Sequence, residues 1–256
     1  MAHDEMPRRI ALVTGASRGI GRATALSLAA VGVHVIAVGR TQGALEELDD
    51  VIRARGGQPA TLVPMDLARS EGIDQLGFEI FERHRRLDIL VHAAGVLGGL
   101  RPMAQIPPEL WEKVLAVNLT GSYRLIRSLD TLLRASEAGR AVFLTCEQAH
   151  RALPFWGAYA ATKAGLEAMV RAWADEVDGS ALRVILADPG PTRTALRHQA
   201  FPGEDKGHLA DPDEVGAWVA GLALSPADLG LPNQIQRLAA RRLDRGEPGL
   251  ELGSPA

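Results

Sequence analysis

Short apolar runs recur along the chain at residues 10–14, 33–38, 61–65, 89–92, 141–145 and 182–187, and between them lie amphipathic stretches of helical period at 19–31, 44–55, 71–85, 109–135 and 158–177. Runs this short and this uniformly apolar fit strands buried on both faces. Parallel strands need a crossover between them, and the intervening helical stretches provide it. The repeated strand–helix–strand pattern therefore predicts an α/β fold: one doubly wound, mostly parallel sheet of six or seven strands flanked by helices. Pro212 and Asp213 open a further helix through Leu224, and residues 233–238 offer a last strand.

With 256 residues and no Pro/Gly/Ser-rich linker, the chain fits a single domain over residues 8–240, followed by a polar tail at 241–256. Its net charge of -3 and 23% charged residues give no sign of a nucleic-acid partner. The opening MAHDEMPRR lacks the apolar core of a signal peptide. No apolar run approaches the about 18 residues that span a bilayer, so the expectation is a cytoplasmic protein with no membrane contact. The single cysteine, Cys146, excludes an intrachain disulfide, and the seven histidines are scattered without a helical ligand pair. No metal is expected.

In such a sheet, ligands collect at the carboxyl ends of the strands. After the first strand comes Thr14-Gly15-Ala16-Ser17-Arg18-Gly19-Ile20-Gly21, leading into a helix. Glycines at a strand-to-helix turn let a pyrophosphate approach the backbone, where amide groups and the helix dipole favour its charge. The spacing Gly-x-x-x-Gly-x-Gly is one residue looser than the commoner dinucleotide fingerprint. The second strand ends Val38-Gly39-Arg40, with no acid to take ribose hydroxyls. Arg18 and Arg40 instead offer two guanidiniums to a 2′-phosphate, which favours NADP(H) and leaves NAD(H) as the lesser option.

Tyr159 and Lys163 are four residues apart on a predicted helix, with small residues between them. That spacing puts phenol and ammonium about one turn apart on one face. A neighbouring cation lowers a phenol's pKa and makes it a usable acid–base group.

With the glycine loop, Tyr159 and Lys163 together, the chain resembles the short-chain dehydrogenase/reductase family over residues 8–240, a family with a Rossmann-type fold. Asp66, with Leu67 beside it, is similar to the aspartate that contacts adenine, and His92-Ala93-Ala94-Gly95 to the family's Asn-Asn-Ala-Gly turn beside the cofactor. Asn118 resembles the asparagine whose helix kink holds a water of the proton relay. Pro189-Gly190-Pro191-Thr192-Arg193-Thr194 resembles the Pro-Gly segment, where Thr194 would contact the nicotinamide end. The resemblance implies a hydride passing between nicotinamide and a carbonyl carbon while Tyr159 gives or takes the oxygen's proton. It gives Lys163 two tasks, lowering the pKa of Tyr159 and binding the nicotinamide ribose. It further implies a small carbonyl or alcohol substrate and a homodimer or homotetramer.

The family carries a serine thirteen residues before its tyrosine, a position held here by Cys146. A thiol is a weak donor, and losing one such hydrogen bond reduces rate on the order of 100-fold. Cys146 is thus a weaker substrate-positioning group, an inert thiol in a crippled site, or a redox-sensitive residue. Thr145 carries a hydroxyl, but adjacent strand residues face opposite ways. Glu147, Gln148 and His150 are expected on a loop facing solvent. His92 is expected to brace the sheet, and Asp188, where the family often has asparagine, to change hydrogen bonding only locally. Leu97, Leu153, Phe155 and Trp156 read as either core or the apolar wall of a substrate pocket, and Phe155-Trp156 beside Tyr159 favours the pocket. Residues 195–209 read as a loop where the family has its substrate lid. The sequence leaves two functions open: an NADP(H)-dependent oxidoreductase, or a cofactor-binding sensor or partner subunit with little turnover.

Overall fold

The structure is a computed structural model that describes residues 9–151, 153–226 and 235–238. Its sheet has seven strands in the order β3-β2-β1-β4-β5-β6-β7, and every neighbouring pair is parallel. They are β1 (Ile10–Thr14), β2 (His34–Gly39), β3 (Thr61–Pro64), β4 (Ile89–His92), β5 (Arg140–Leu144), β6 (Arg183–Asp188) and β7 (Gln236–Arg237). Of the last expected strand, Asn233 and Gln234 lie outside the described residues, as does the tail from residue 239 onward.

The strands read as continuous apolar runs because each face has its own core. Ala11, Val13, Val35, Ala37, Val91 and Val142 point to the side covered by α1 (Gly19–Ala30), α2 (Gln42–Ala54) and α8 (Pro212–Leu224). Leu12, Ile36, Leu90, Ala141, Phe143 and Leu186 point to the side covered by α3 (Ser70–His84), α5 (Gly121–Arg134) and α6 (Gly157–Glu176). Odd and even positions of one strand thus serve different layers.

Two expectations fail in detail. The helix read over 109–135 is divided into α4 (Pro108–Leu115), a π-helical turn at Ala116–Thr120, and α5. The apolar period runs through the insertion, so periodicity does not reveal it. The segment read as a loop at 195–209 holds α7 (Ala195–Ala200) and a 3-10 turn at Lys206–His208. Thr194 Oγ1 accepts from the Arg197 amide at 3.2 Å and starts the helix, a capping contact that outweighs the glycine and proline nearby.

The chain winds outward in both directions from β1, which pairs with β2 on one side and β4 on the other. That reversal opens a crevice at the carboxyl ends of the strands. No helix among the described residues is long and apolar enough to cross a membrane.

Candidate active site

The crevice is a cleft of about 910 Å³ running along those strand ends. Its β1–α1 wall includes Gly15, Ser17, Arg18, Gly19, Ile20 and Gly21. Gly15 has φ +70°, and a Cβ there would lie 2.9 Å from the Ala94 amide nitrogen. A Cβ on Gly21 would lie 2.4 Å from the Gly15 carbonyl oxygen. The loop therefore folds on itself and against the β4 exit only because these positions have no side chains.

Arg18 and Arg40 are exposed at the cleft, and neither guanidinium is engaged by a hydrogen bond or ion pair to another described residue. Asp66, Leu67, Ala94, Gly95, Pro189, Gly190, Thr192 and Thr194 line the same cleft. Several polar groups here already have structural partners. Asp66 Oδ1 accepts from the Ala68 amide at 3.0 Å, Thr192 Oγ1 donates to the Gly190 carbonyl at 3.1 Å, and Thr194 caps α7. Asp188, also at the cleft, takes the Gly190 amide at 3.0 Å, a local contact of the kind expected.

Tyr159 and Lys163 project into the cleft from one face of α6, and both are buried. Lys163 Nζ donates to the Leu144 carbonyl at 2.8 Å and lies 5.8 Å from the centroid of the Tyr159 ring. The Tyr159 hydroxyl and the Cys146 thiol are hydrogen-bonding neighbours. Burial holds the phenol well above its ordinary pKa, and Cys146 and Asp188 push it the same way. Burial lowers Lys163, while the charges of Cys146, Glu167 and Asp188 oppose that shift. This corrects the expected lowering of Tyr159 by Lys163: removing the phenol from water outweighs the cation, whose Nζ is directed to a main-chain carbonyl.

Asn118 stands on the π turn, at the helix kink expected there, and its side chain is buried behind the cleft at 1% exposure. Its Oδ1 accepts from the Val96 amide at 2.8 Å, and its Nδ2 donates to the Val96 carbonyl at 2.9 Å and to Thr162 Oγ1 at 3.1 Å. Asn118 thereby ties the β4 exit and α6 to the π turn on which it stands.

His92 braces as expected, and its proton can be placed. Ser122 Oγ donates to the Asn118 carbonyl at 2.7 Å, so it must accept from His92 Nε2 at 2.9 Å. Nδ1 then accepts from the Thr14 hydroxyl at 2.8 Å, and Thr14 Oγ1 accepts from the Ala94 amide at 3.3 Å. Burial, with the charge of Lys163, lowers the imidazole pKa to about 3 and keeps the ring neutral. The resulting one-way chain runs from the cleft loop at Ala94 to the π turn.

Cys146 follows β5 and faces Tyr159 in the position expected of a serine. Burial raises its pKa, with Lys163, the Gln148 backbone and Tyr159 opposing the rise. A raised pKa removes the basis for the redox-sensitive reading, which needs a thiolate. Thr145 does not substitute, since its buried Oγ1 donates to Glu167. In the 147–150 segment Glu147 and His150 are exposed, as expected, but Glu147–Ala149 form a 3-10 turn, and Glu147, Gln148 and His150 also line the cleft. His150 Nε2 lies 3.1 Å from Glu167 Oε1.

On the other side, Trp156 lines the cleft and stands edge-on to Tyr159 at 5.9 Å, while Phe201 packs on it at 5.7 Å. Leu97 and Leu153 complete this apolar cluster from behind. Phe155 does not join it, because its backbone has φ +73° and its ring is 55% exposed. The residue that sequence reasoning missed is Glu167. Its spacing of four from Lys163 repeats that of Lys163 from Tyr159, which was a signal for one shared helix face.

Comparison with known proteins agrees with this geometry. The uncharacterized oxidoreductase YciK of Escherichia coli K12 is 39% identical over 214 residues, covering 83% of this chain and 84% of its own length. A 3-oxoacyl-[acyl-carrier-protein] reductase of Synechocystis is 31% identical over 228 residues, covering 86% and 90%. Among solved structures, a short chain dehydrogenase from Escherichia coli CFT073 complexed with NADPH superposes with a TM-score of 0.84 at 36% identity, covering 90% of this chain and 95% of that one. A metagenomic short-chain oxidoreductase in complex with NADP gives a TM-score of 0.76 at 30% identity, covering 90% and 96%. A profile of the short chain dehydrogenase family matches residues 9–205, and with these relatives it makes the chain a member of that family of oxidoreductases.

Proposed function

We propose that the protein is an NADP(H)-dependent oxidoreductase acting on a CH–OH/C=O pair of a small molecule, with Tyr159 as the proton donor or acceptor. The observation that carries this reading is the meeting of Tyr159, Lys163 and Cys146 in a cleft whose β1–α1 wall is a glycine loop closed tightly on itself at Gly15 and Gly21. The loop fits a pyrophosphate, and the two unengaged arginines with no acid after β2 fit a 2′-phosphate. The NADP and NADPH complexes of related structures support the same cofactor, with NAD(H) the lesser option.

The bound cofactor supplies the hydride; the chain orients the reactants and moves the proton. Burial keeps the Tyr159 phenol protonated, which suits it to donate to a carbonyl oxygen as that oxygen becomes an alkoxide. Lys163 then faces a developing phenolate, and its ammonium stabilises the charge left behind. Cys146 is within reach of the same oxygen through its contact with Tyr159 and offers a weak S–H donor. Asn118 and His92 act as positioning residues beneath this group. The same reading includes a single catalytic domain over residues 8–240, a cytoplasmic setting and a homodimer or homotetramer.

One observation favours a second reading, a cofactor-binding partner subunit with little turnover: the group beside Tyr159 is a thiol, and the neighbouring Thr145 hydroxyl is turned to Glu167. The test is NADPH oxidation by the wild type and by Cys146→Ser across ketones, aldehydes and ketoacyl thioesters. Turnover by wild type supports the enzyme. Turnover by Cys146→Ser alone supports the second reading, and failure of both to bind NADPH overturns both.

A further inference from the structure

The buried carboxylate of Glu167 has no part in the proton transfer described above, yet it is 4% exposed and lies one helical turn beyond Lys163. A charge in that position needs partners. It has three. Thr145 Oγ1 donates to Oε1, His150 Nε2 lies 3.1 Å from the same oxygen, and Arg171 reaches Oε2 at 3.7 Å from the surface side. Thr145 precedes Cys146 in the chain, and His150 closes the 3-10 turn that follows it. One carboxylate on α6 therefore holds both ends of the segment that carries Cys146, and α6 is the helix that carries Tyr159 and Lys163.

We propose that Glu167 is a positioning residue, a clamp that sets the Cys146 thiol against the Tyr159 hydroxyl through Thr145 and His150. Within the 145–150 segment the turn is closed by Ala149 and His150 amides bonding to Cys146 and Glu147 carbonyls, and Thr145 N is held by Ala187 O; its polar side-chain ties to α6 are the Cys146 contact with Tyr159 and the two to Glu167. Without the carboxylate, the end of the turn at His150 loses its hold on α6. The substrate-facing group then samples more than one position, and a 1 Å misplacement is enough to reduce rate strongly. The clamp rests on the proposed oxidoreductase only for its catalytic consequence; its mechanical content is independent of it.

The chain's single cysteine makes the segment readable without turnover. The experiment measures the rate at which iodoacetamide modifies Cys146 in the folded wild type, Glu167→Gln, Glu167→Ala and His150→Ala, with circular dichroism to verify folding and a second pH to separate exposure from thiolate fraction. Glutamine keeps the acceptor oxygen and removes the charge, so Glu167→Gln is expected to stay within roughly threefold of wild type, whereas Glu167→Ala rises about tenfold or more, the scale of one lost hydrogen-bonded tie. His150→Ala, which cuts one arm from the exposed side, falls between them. NADPH affinity is expected to be unchanged in all, with kcat lowered in Glu167→Ala and recovered in Glu167→Gln. Wild-type labelling rates in folded Glu167→Ala and His150→Ala overturn the clamp, and so does Glu167→Gln labelling as fast as Glu167→Ala, which assigns the effect to charge. Should Glu167→Ala not fold, His150→Ala against wild type decides alone. Absence of turnover in the wild type bears on the oxidoreductase reading and leaves the labelling result intact.

Discussion

The two ends of the cleft are built by different means. At the glycine loop the site is backbone: a Cβ at Gly21 would overlap the Gly15 carbonyl, and Gly15 has φ +70° against the β4 exit. At the Tyr159 end the site is side chains: a phenol, an ammonium and a thiol brought together from α6 and the β5 exit, with Asp188 beside them. Backbone geometry admits only glycine at such positions, so the cofactor end tolerates little change in sequence. At the Tyr159 end one polar side chain can stand in for another, and Cys146 stands where a serine was expected. The contrast teaches where each kind of failure should occur: in binding at one end, in rate at the other.

The largest effect expected is on rate. Tyr159→Phe removes the proton donor while keeping the ring that packs edge-on to Trp156, so kcat for carbonyl reduction should fall about a thousandfold with NADPH affinity nearly unchanged. Steady-state kinetics beside a fluorescence titration of NADPH read the two quantities, and equal rates would remove Tyr159 from the chemistry. At the other end the loss should be in binding. Gly21→Ala places a methyl 2.4 Å from a carbonyl oxygen, and NADPH affinity should drop roughly a hundredfold as the loop opens to relieve it. Retained affinity would show that the loop does not hold the cofactor.

The same contrast explains what was legible beforehand. The sheet was, because β1, β2, β4 and β5 are buried on both faces and their apolar runs have no competing reading. The glycine loop and the Tyr159/Lys163 spacing were legible for the related reason that each is a constraint of local geometry. The π turn at Ala116–Thr120 was legible only through the family resemblance, which implied a helix kink at Asn118, since the apolar pattern of 109–135 reads straight through it. The phenol's raised pKa was not legible: spacing places Lys163 near Tyr159, but burial, which only the folded chain defines, sets the sign. Glu167 went unread because a glutamate on a helix is normally solvated, and its burial depends on Thr145 and His150, more than fifteen residues away in the chain.

A finer distinction concerns which cation serves the cofactor end. Arg40 lies at the cleft after β2 with its guanidinium unengaged by the described residues, so Arg40→Ala should weaken NADPH about tenfold to a hundredfold and leave NADH nearly unchanged. Parallel titrations of the two cofactors measure the ratio. An unaltered ratio would assign the 2′-phosphate elsewhere, with Arg18 the remaining unengaged guanidinium of the loop.

The smallest effect lies beneath both ends, where His92 joins them through Thr14 and Ser122. In the folded chain its pKa is about 3 against an ordinary 6.5, because burial opposes the imidazolium. Between these values the unfolded chain binds a proton that the folded chain refuses. Stability linked to His92 is therefore fully present above the ordinary value and is lost as pH falls toward the folded one. His92→Asn removes the titration, so the variant should lose less stability on acidification than wild type, by about 2 kcal/mol at about pH 5. Thermal unfolding of both proteins at neutral and mildly acidic pH gives the comparison. Asparagine replaces a ring that accepts from Thr14 and donates to Ser122, so some loss at neutral pH is expected, and the slope with pH rather than the starting value carries the result. Parallel slopes would mean that His92 is not held neutral by the fold, and the one-way hydrogen-bond chain between Ala94 and the π turn would have to be redrawn.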